Sequence, residues 1–307
     1  MADSVTWAIE AIELRKRYEH VEAVRGLNLR VPGGSICGFL GRNGAGKTTT
    51  IKMLLGMTRP TGGQGRVLGL AIDDPASSVA IRGRTGFVSE DKDLYDSMTA
   101  GDLIRFTARF YPRWRADLEQ RYLRRFDVRL DARVKTLSRG GRTKLALLLA
   151  LSRGADLLIL DEPTSGLDPA ATEDVLQALV SHVAAAETTV FFSSHQIAEV
   201  DQIADHVVII DGGRTVIAGA LDDLREGYRR VQFVFDGDAP EASGIFTKVA
   251  GVQRIRRTGR VMTVLTSAGA DPILEEARAL NPVSVDVARV TLKEIFLETV
   301  APDGNGV

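Results

Sequence analysis

The sequence predicts an α/β protein built on a mainly parallel sheet covered by helices, and three observations carry that prediction. From Ile12 to about Gly227, short β-branched runs alternate with helix-compatible segments, the pattern of strands joined by crossover helices. A strand-like run from Ser35 to Leu40 passes through glycine-rich residues 41–46 into helical apolar spacing at Ile51, Leu54 and Leu55, with the helix expected from Lys47 to Met57. A second uncharged run, from Leu157 to Leu160, ends in Asp161-Glu162-Pro163, as a buried central strand does when it delivers carboxylates at its C-terminal edge.

The remaining elements follow in chain order. From about Glu90 to Gly154 the pattern is mostly helical and interrupts the strands, with one expected apolar stripe at Leu103, Phe106 and Phe110 and another at Leu118, Tyr122 and Phe126. Arg121, Arg124 and Arg125 read as a solvated face of that insert, and Trp114 as packing. Asp168 is placed to cap a helix with Pro169 at its first position and Val175, Leu176 and Leu179 inward. Thr189 to Ser193 is a further buried strand, and Val207 to Ile210 turns through Asp211-Gly212-Gly213 into Thr215 to Ala218 as a hairpin. After Gly227 the pattern changes to a small α+β series: a strand at Val231 to Phe235, a hairpin turning at Thr258-Gly259, a helix from Ile273 to Leu280, a strand from Val283 to Val287 and a helix from Leu292 to Val300. Ala301 to Val307 reads as a frayed tail.

Bulk properties exclude several classes. With 307 residues, 44% of them hydrophobic, the chain has room for about two domains and a real core. Lys+Arg 39 against Asp+Glu 40 leaves no global attraction to nucleic acid or anionic lipid. The single cysteine, Cys37, rules out an internal disulfide and reads as a small buried hydrophobe. The longest apolar stretch, Leu145 to Leu151, is far short of the roughly 18 residues of a membrane span, and an N-terminus carrying Asp3 and Glu10 lacks the form of a signal peptide. The expected compartment is the cytoplasm.

Chemistry concentrates in four places. Gly41-Arg42-Asn43-Gly44-Ala45-Gly46-Lys47-Thr48 fits the phosphate-cradling pattern G-x-x-x-x-G-K-S/T. Its glycines let backbone N–H groups turn toward phosphate oxygens, the following helix adds its positive end, Lys47 adds a charge, and the Thr48 hydroxyl suits Mg²⁺. Downstream, Asp161 and Glu162 lie side by side at a strand end, suited to holding Mg²⁺ through water and to polarising an attacking water. Ser138 can cap the helix after Ser138-Arg139-Gly140-Gly141 while its hydroxyl and the Gly140 N–H point at an anion. His195 ends the strand after Ser193-Ser194, at the sheet edge where a γ-phosphate sensor belongs.

In this order the segments resemble the ABC ATPase family over about residues 10 to 220. The resemblance implies a P-loop NTPase fold of the ABC ATPase type: a mixed sheet core over residues 1–227 with a helical subdomain at about 90–154, followed by an α+β accessory domain at 228–307. It implies that Tyr18 stacks on the adenine of ATP. Gly41, Arg42, Asn43, Gly44, Ala45, Gly46, Lys47, Thr48 and Thr49 then form the Walker A loop, and Asp161 and Glu162 form Walker B. Ser138, Arg139, Gly140 and Gly141 would be the signature segment acting in trans, Asp168 part of the D-loop, and His195 the switch histidine. Glu162, His195 and Lys47 are the implied catalytic residues, and Thr48, Asp161 and Glu90 the implied Mg²⁺ neighbours.

The implied assembly is a homodimer or heterodimer of ATPase subunits on an integral membrane permease, peripheral on the cytoplasmic face, without nucleic acid. Phe110-Tyr111-Pro112 through the signature, and Leu292 to Glu298, resemble exporters whose permease is a separate chain and whose cargo is a drug, antibiotic or peptide. Two departures stand out: Glu90 occupies the family's usual glutamine position, and Arg139 and Gly141 replace the third and fifth residues of Leu-Ser-Gly-Gly-Gln. Two alternatives remain open at this point: a soluble non-transport ABC ATPase, or an ATP-binding regulatory subunit with weak hydrolysis.

Overall fold

The structure, a computed structural model, describes residues 6–241, 244–247 and 249–300. The tail 301–307 and Asp3 of the N-terminus lie outside them. The chain divides into two compact units, Met1–Ala218 and Gly219–Val307. The sequence pattern changes later, after Gly227.

The first unit opens with two long strands, β1 (Trp7–Tyr18) and β2 (Val21–Pro32), and continues through β3 (Ile36–Gly41), α1 (Lys47–Leu54), β4 (Gly62–Val67), β5 (Leu70–Ala71), α2 (Pro75–Arg84) and β6 (Thr85–Val88). Helices α3 (Ala100–Ala108), α4 (Ala116–Arg125) and α5 (Arg139–Leu151) form the insert. The chain returns to β7 (Leu157–Asp161), α6 (Pro169–Ala186), β8 (Thr189–Ser194), α7 (Ile197–Ile203), β9 (His206–Asp211) and β10 (Arg214–Ala220).

These strands make two sheets. One has the order β2-β1-β4-β5, with antiparallel pairing throughout. The other has the order β10-β9-β3-β8-β7-β6, and the pairs β9/β3, β3/β8, β8/β7 and β7/β6 are parallel. Parallel pairing puts the C-terminal ends of β3, β7 and β8 at one edge, with Leu40 opposite Ser194 and Asp161 opposite Ser193. Ligands of such sheets bind beyond that edge.

Both sheets share one core. Ile9, Leu14, Leu27 and Leu29 from the antiparallel sheet pack with Phe39, Leu157, Ile159 and Phe191 from the parallel one, and with Ile51 and Leu54 of α1. Each such fully buried side chain contributes about 1.5–3 kcal/mol through the apolar surface it removes from water. Cys37 is fully buried among them, and that burial pushes its thiol pKa well above the usual range, as an inert small hydrophobe requires. Gly38 is the residue that lets α7 lie on β3, since a Cβ there would sit 2.4 Å from Val200 Cγ1.

In the insert, Leu118, Tyr122 and Phe126 are buried as the helical spacing predicts, and Leu145 to Leu151 is a buried core helix. Among the described residues, no helix is long and apolar enough to cross a membrane. The other expected stripe fails: Leu103 is buried, but Phe106 is 39% and Phe110 64% exposed. Helix α3 ends at Ala108, so Phe110 leaves the helical period, and Phe106 turns edge-on to Tyr95 and Phe110 at the surface. Arg125 is likewise not simply solvated. Its guanidinium lies 3.0 Å from Asp174 on α6, beside a buried bond between Tyr122 Oη and His182 Nδ1.

The second unit begins with α8 (Leu221–Gly227) and adds β11 (Arg229–Val234), β12 (Val252–Thr258), β13 (Val261–Thr266), α9 (Asp271–Ala277), β14 (Ser284–Arg289) and α10 (Leu292–Val300). Its sheet has the order β12-β13-β11-β14, all antiparallel, over a core of Val231, Phe233, Phe246, Met262, Val264 and Ile273. The β12–β13 turn is at Gly259, whose φ of +55° suits glycine.

Candidate active site

Beyond the C-terminal end of β3, residues 42–46 turn back over the sheet edge to start α1. Gly44 and Gly46, at φ +81° and +105°, supply the left-handed conformations that the loop needs. A side chain on Gly46 would also strike the Ala23 carbonyl at 2.7 Å. The loop bounds a cavity of about 270 Å³ lined by Ala23, Arg42, Asn43, Gly44, Gly46, Lys47, Thr48, Thr49, Glu90 and Glu162. The N-terminus of α1 opens into it with no side-chain cap, so its first N–H groups are available to an anion.

Lys47, though 7% exposed, is folded inward: its Nζ donates to the Gly41 carbonyl at 2.8 Å and lies 3.2 Å from Glu162 Oε1. Glu162 is 5% exposed and its backbone is in the left-handed region at φ +49°, which a residue with a Cβ adopts only when its surroundings hold it there. Its N–H donates to Ser193 Oγ at 3.0 Å, and its carbonyl accepts from Lys92 Nζ at 2.8 Å and from Ser165 N–H at 3.1 Å. Carboxylate Oε2 lies 2.8 Å from His195 Nδ1, whereas Oε1 is buried without a hydrogen-bond partner. The contact with Lys47 is therefore ionic rather than an aligned hydrogen bond.

Asp161 sits one layer deeper, 1% exposed, with Oδ1 accepting from Ser193 Oγ at 2.6 Å. Ser193 thus fixes both members of the acidic pair. Glu199, also buried, ties the turn after Glu162 to the end of β8 by accepting from Thr164 Oγ1 and from Ser194 Oγ, each at 2.7 Å.

The structure therefore brings together Gly41, Arg42, Asn43, Gly44, Ala45, Gly46, Lys47, Thr48, Thr49, Glu90, Glu162 and, through Glu162, Asp161 and His195. Tyr18, at the end of β1, is 43% exposed with Lys16 Nζ 4.8 Å from its ring centroid and is not part of the cavity wall. Ser138 is exposed at the N-cap of α5, its Oγ accepting from Gly141 N–H at 3.1 Å, and Ser138, Arg139, Gly140 and Gly141 do not line the cavity. Asp168 caps α6 by accepting from Ala171 N–H at 2.9 Å.

Residues that sequence reasoning passed over include Ser193, Lys92, Glu199 and Ala23. The only sequence signal for Ser193 is its place one residue before the end of a buried strand. Lys92 had none, since a lone lysine in a polar loop reads as solvated.

For Mg²⁺ the donor set fits: Thr48, Asp161 and Glu90 offer only oxygen, the donor this hard cation takes. Among the described residues no three His, Cys, Asp or Glu side chains converge as a metal cage.

Known proteins resemble this chain over most of its length. The family model described as ABC transporter matches residues 24–165. The chain is 35% identical over 302 residues to the Nod factor export ATP-binding protein I of Cupriavidus pinatubonensis, covering 96% of this chain and 91% of that protein. It is 31% identical over 294 residues to the bacitracin transport ATP-binding protein of Bacillus licheniformis, covering 94% of each. A solved structure of an ATP-binding subunit of an ABC transporter superposes with a TM-score of 0.65 at 29% identity, covering 71% of this chain and 92% of that one. With a full-length relative above 30% identity and a phosphate loop facing a buried Asp-Glu pair, the chain belongs to the ATP-binding subunits of ABC transporters, which are ATP hydrolases.

Proposed function

We propose that this subunit powers export of a drug-, antibiotic- or peptide-class substrate through a separately encoded membrane permease, acting as one of two ATPase protomers on the cytoplasmic face of the membrane. The observation that carries the catalytic part is the buried carboxylate of Glu162 in the wall of the phosphate-loop cavity, its Oε1 3.2 Å from Lys47 Nζ and without a hydrogen bond among the described residues.

On this reading Lys47 leaves the Gly41 carbonyl and Glu162 when triphosphate enters, which frees Oε1 to orient the attacking water and take its proton. His195 holds Oε2 and so fixes the carboxylate. Mg²⁺, when bound, would neutralise charge on the phosphate oxygens, and Thr48, Asp161 and Glu90 are the residues that would hold it. Ser138 and Gly140, which lie outside this chain's own cavity, complete the site of a second protomer. Tyr18 stacks on adenine, and Asp168 belongs to the protomer interface. Residues 1–227 carry the catalysis and 228–307 are accessory.

A second cavity of about 310 Å³, lined by Phe87, Leu94, Lys92, Leu149 and Arg153 among others, supports the permease reading. An exposed row of aromatics, Tyr95, Phe106 and Phe110, stands on the same helical insert. Exposed apolar clusters of this kind mark docking surfaces. The export direction rests on the relatives that act in Nod factor export and bacitracin transport.

The test is fractionation of cells that express the chain with its permease. Wild type should pellet with membranes, and Phe106→Glu/Phe110→Glu should shift to the supernatant while still binding ATP. Wild type sedimenting with ribosomes instead would replace this reading by a soluble ATPase.

A further inference from the structure

The turn Glu162–Gly166 is gripped by two cations from different parts of the chain. Lys92, 4% exposed, places its Nζ 2.8 Å from the Glu162 carbonyl. Arg139 donates from Nη2 to Ser165 Oγ at 3.0 Å. Its guanidinium lies against Gly166, where a Cβ would fall 2.4 Å from Arg139 Nε and where φ is +77°. Glycine at 166 therefore gives both the turn and the space for the arginine.

The bland reading treats Lys92 as a satisfied buried lysine and Arg139 as an exposed arginine whose bond is worth little. Two observations weigh against it. Glu162 holds a left-handed backbone that needs restraint, and the carbonyl Lys92 takes is that residue's own. Lys92 is itself left-handed at φ +50°, so the loop is bent to deliver it. Burying an ammonium is expensive, and it is tolerated here where its Nζ bonds the backbone of the proposed base. Lys92 also borders the second cavity, while Glu90 borders the phosphate cavity, so one short loop touches both.

We propose that Lys92 and Arg139 are positioning residues that clamp the turn Glu162–Gly166, Lys92 through the Glu162 carbonyl and Arg139 through Ser165, and so hold the Glu162 carboxylate toward the nucleotide. The proposal rests on the ATPase reading above. It gives Arg139, where the family signature usually has glycine, a task within its own chain rather than toward the partner's phosphate.

The experiment measures kcat, KM, Mg-ATP affinity by calorimetry and the thermal midpoint for the full chain, with its permease if turnover needs it. Lys92→Met is expected to lower kcat by about tenfold with ATP affinity within about twofold, the split of a group that acts on the reacting geometry rather than on binding. Arg139→Ala and Ser165→Ala should each lower kcat by about three- to fivefold. The double variant should fall no further than either single one, because both act through one contact. Arg139→Lys should recover part of the loss. Unchanged kcat in soluble, folded Lys92→Met, or additive losses in the Arg139/Ser165 cycle, would overturn the clamp; additivity would instead place Arg139 on the partner's nucleotide. If Lys92→Met does not fold, the Arg139/Ser165 cycle decides, since Arg139 is exposed and Ser165 only half-buried. Wild type that takes up no Mg-ATP would overturn the ATPase reading itself, a result separate from all of these.

Discussion

In the phosphate loop and the strand end facing it, the chemical groups are held from within the chain: Lys47 by Gly41 and Glu162, Glu162 by Ser193, Lys92 and His195, Asp161 by Ser193. At the start of α5 the opposite holds. Ser138 stands exposed, its hydroxyl accepting from Gly141 N–H of its own helix, and Ser138, Arg139, Gly140 and Gly141 do not line the cavity. The first region is pre-organised for an anion, whereas the second is an exposed helix start whose Arg139 bonds Ser165 but whose Ser138 hydroxyl lies away from its own chain's cavity. On the proposed reading the difference divides the labour: one half binds and activates, and the other finishes a neighbour's site.

The largest expected effect probes the organised half. Glu162→Gln keeps the size and loses the base, so steady-state hydrolysis should fall by about 10²-fold or more while calorimetry still shows ATP uptake. Near-normal turnover would remove Glu162 from the role of main base.

The attachment of α4 in the helical insert to α6 is read by pH. His182 on α6 is buried against Tyr122 of α4, and burial first, then the Arg121 and Arg115 charges, lower its pKa from 6.5 to about 4. The unfolded state takes up a proton below pH 6.5 and the native state does not, so stability is retained above that value and lost as pH falls toward 4. Between pH 7.5 and 5 the loss should be about 2 kcal/mol. Thermal unfolding should show this fall in wild type and little of it in His182→Asn.

A smaller effect isolates the exposed half. Ser138→Ala should lower turnover by about tenfold, the value of one lost charge-assisted hydrogen bond, and leave ATP affinity of the dilute single chain within about twofold. Equal loss of affinity would place Ser138 in its own chain's site and erase the division of labour. Smallest of all, Phe110→Ser should change stability by no more than about 0.5 kcal/mol in chemical denaturation, because the ring is already 64% exposed.

The same contrast explains what was legible in the sequence. The phosphate loop, the buried strand before Asp161 and the Asp168 cap are set by local rules of glycine conformation, apolar runs and helix starts, and all are found where those rules place them. The strands and helices expected after Gly227 lie near their expected ranges, but Val283, Val285 and Val287 at β14 are exposed rather than turned to a core. What escaped depends on long-range geometry. Ser193 meets Asp161 because β7 and β8 are parallel neighbours in a particular register, and Lys92 reaches Glu162 across 70 residues. Phe110 misled because periodicity presumes a helix that in fact stops two residues earlier.

Titration of Mg-ATP into the chain, into Lys47→Ala and into Ser138→Ala tests the two halves most directly. Wild type and Ser138→Ala are expected to bind about one nucleotide per chain with similar affinity, and Lys47→Ala to bind at least about tenfold more weakly, the loss of one buried charge from the phosphates. Absence of uptake by wild type, or undiminished binding by Lys47→Ala, would contradict the assignment of the Gly41–Lys47 loop as the triphosphate site.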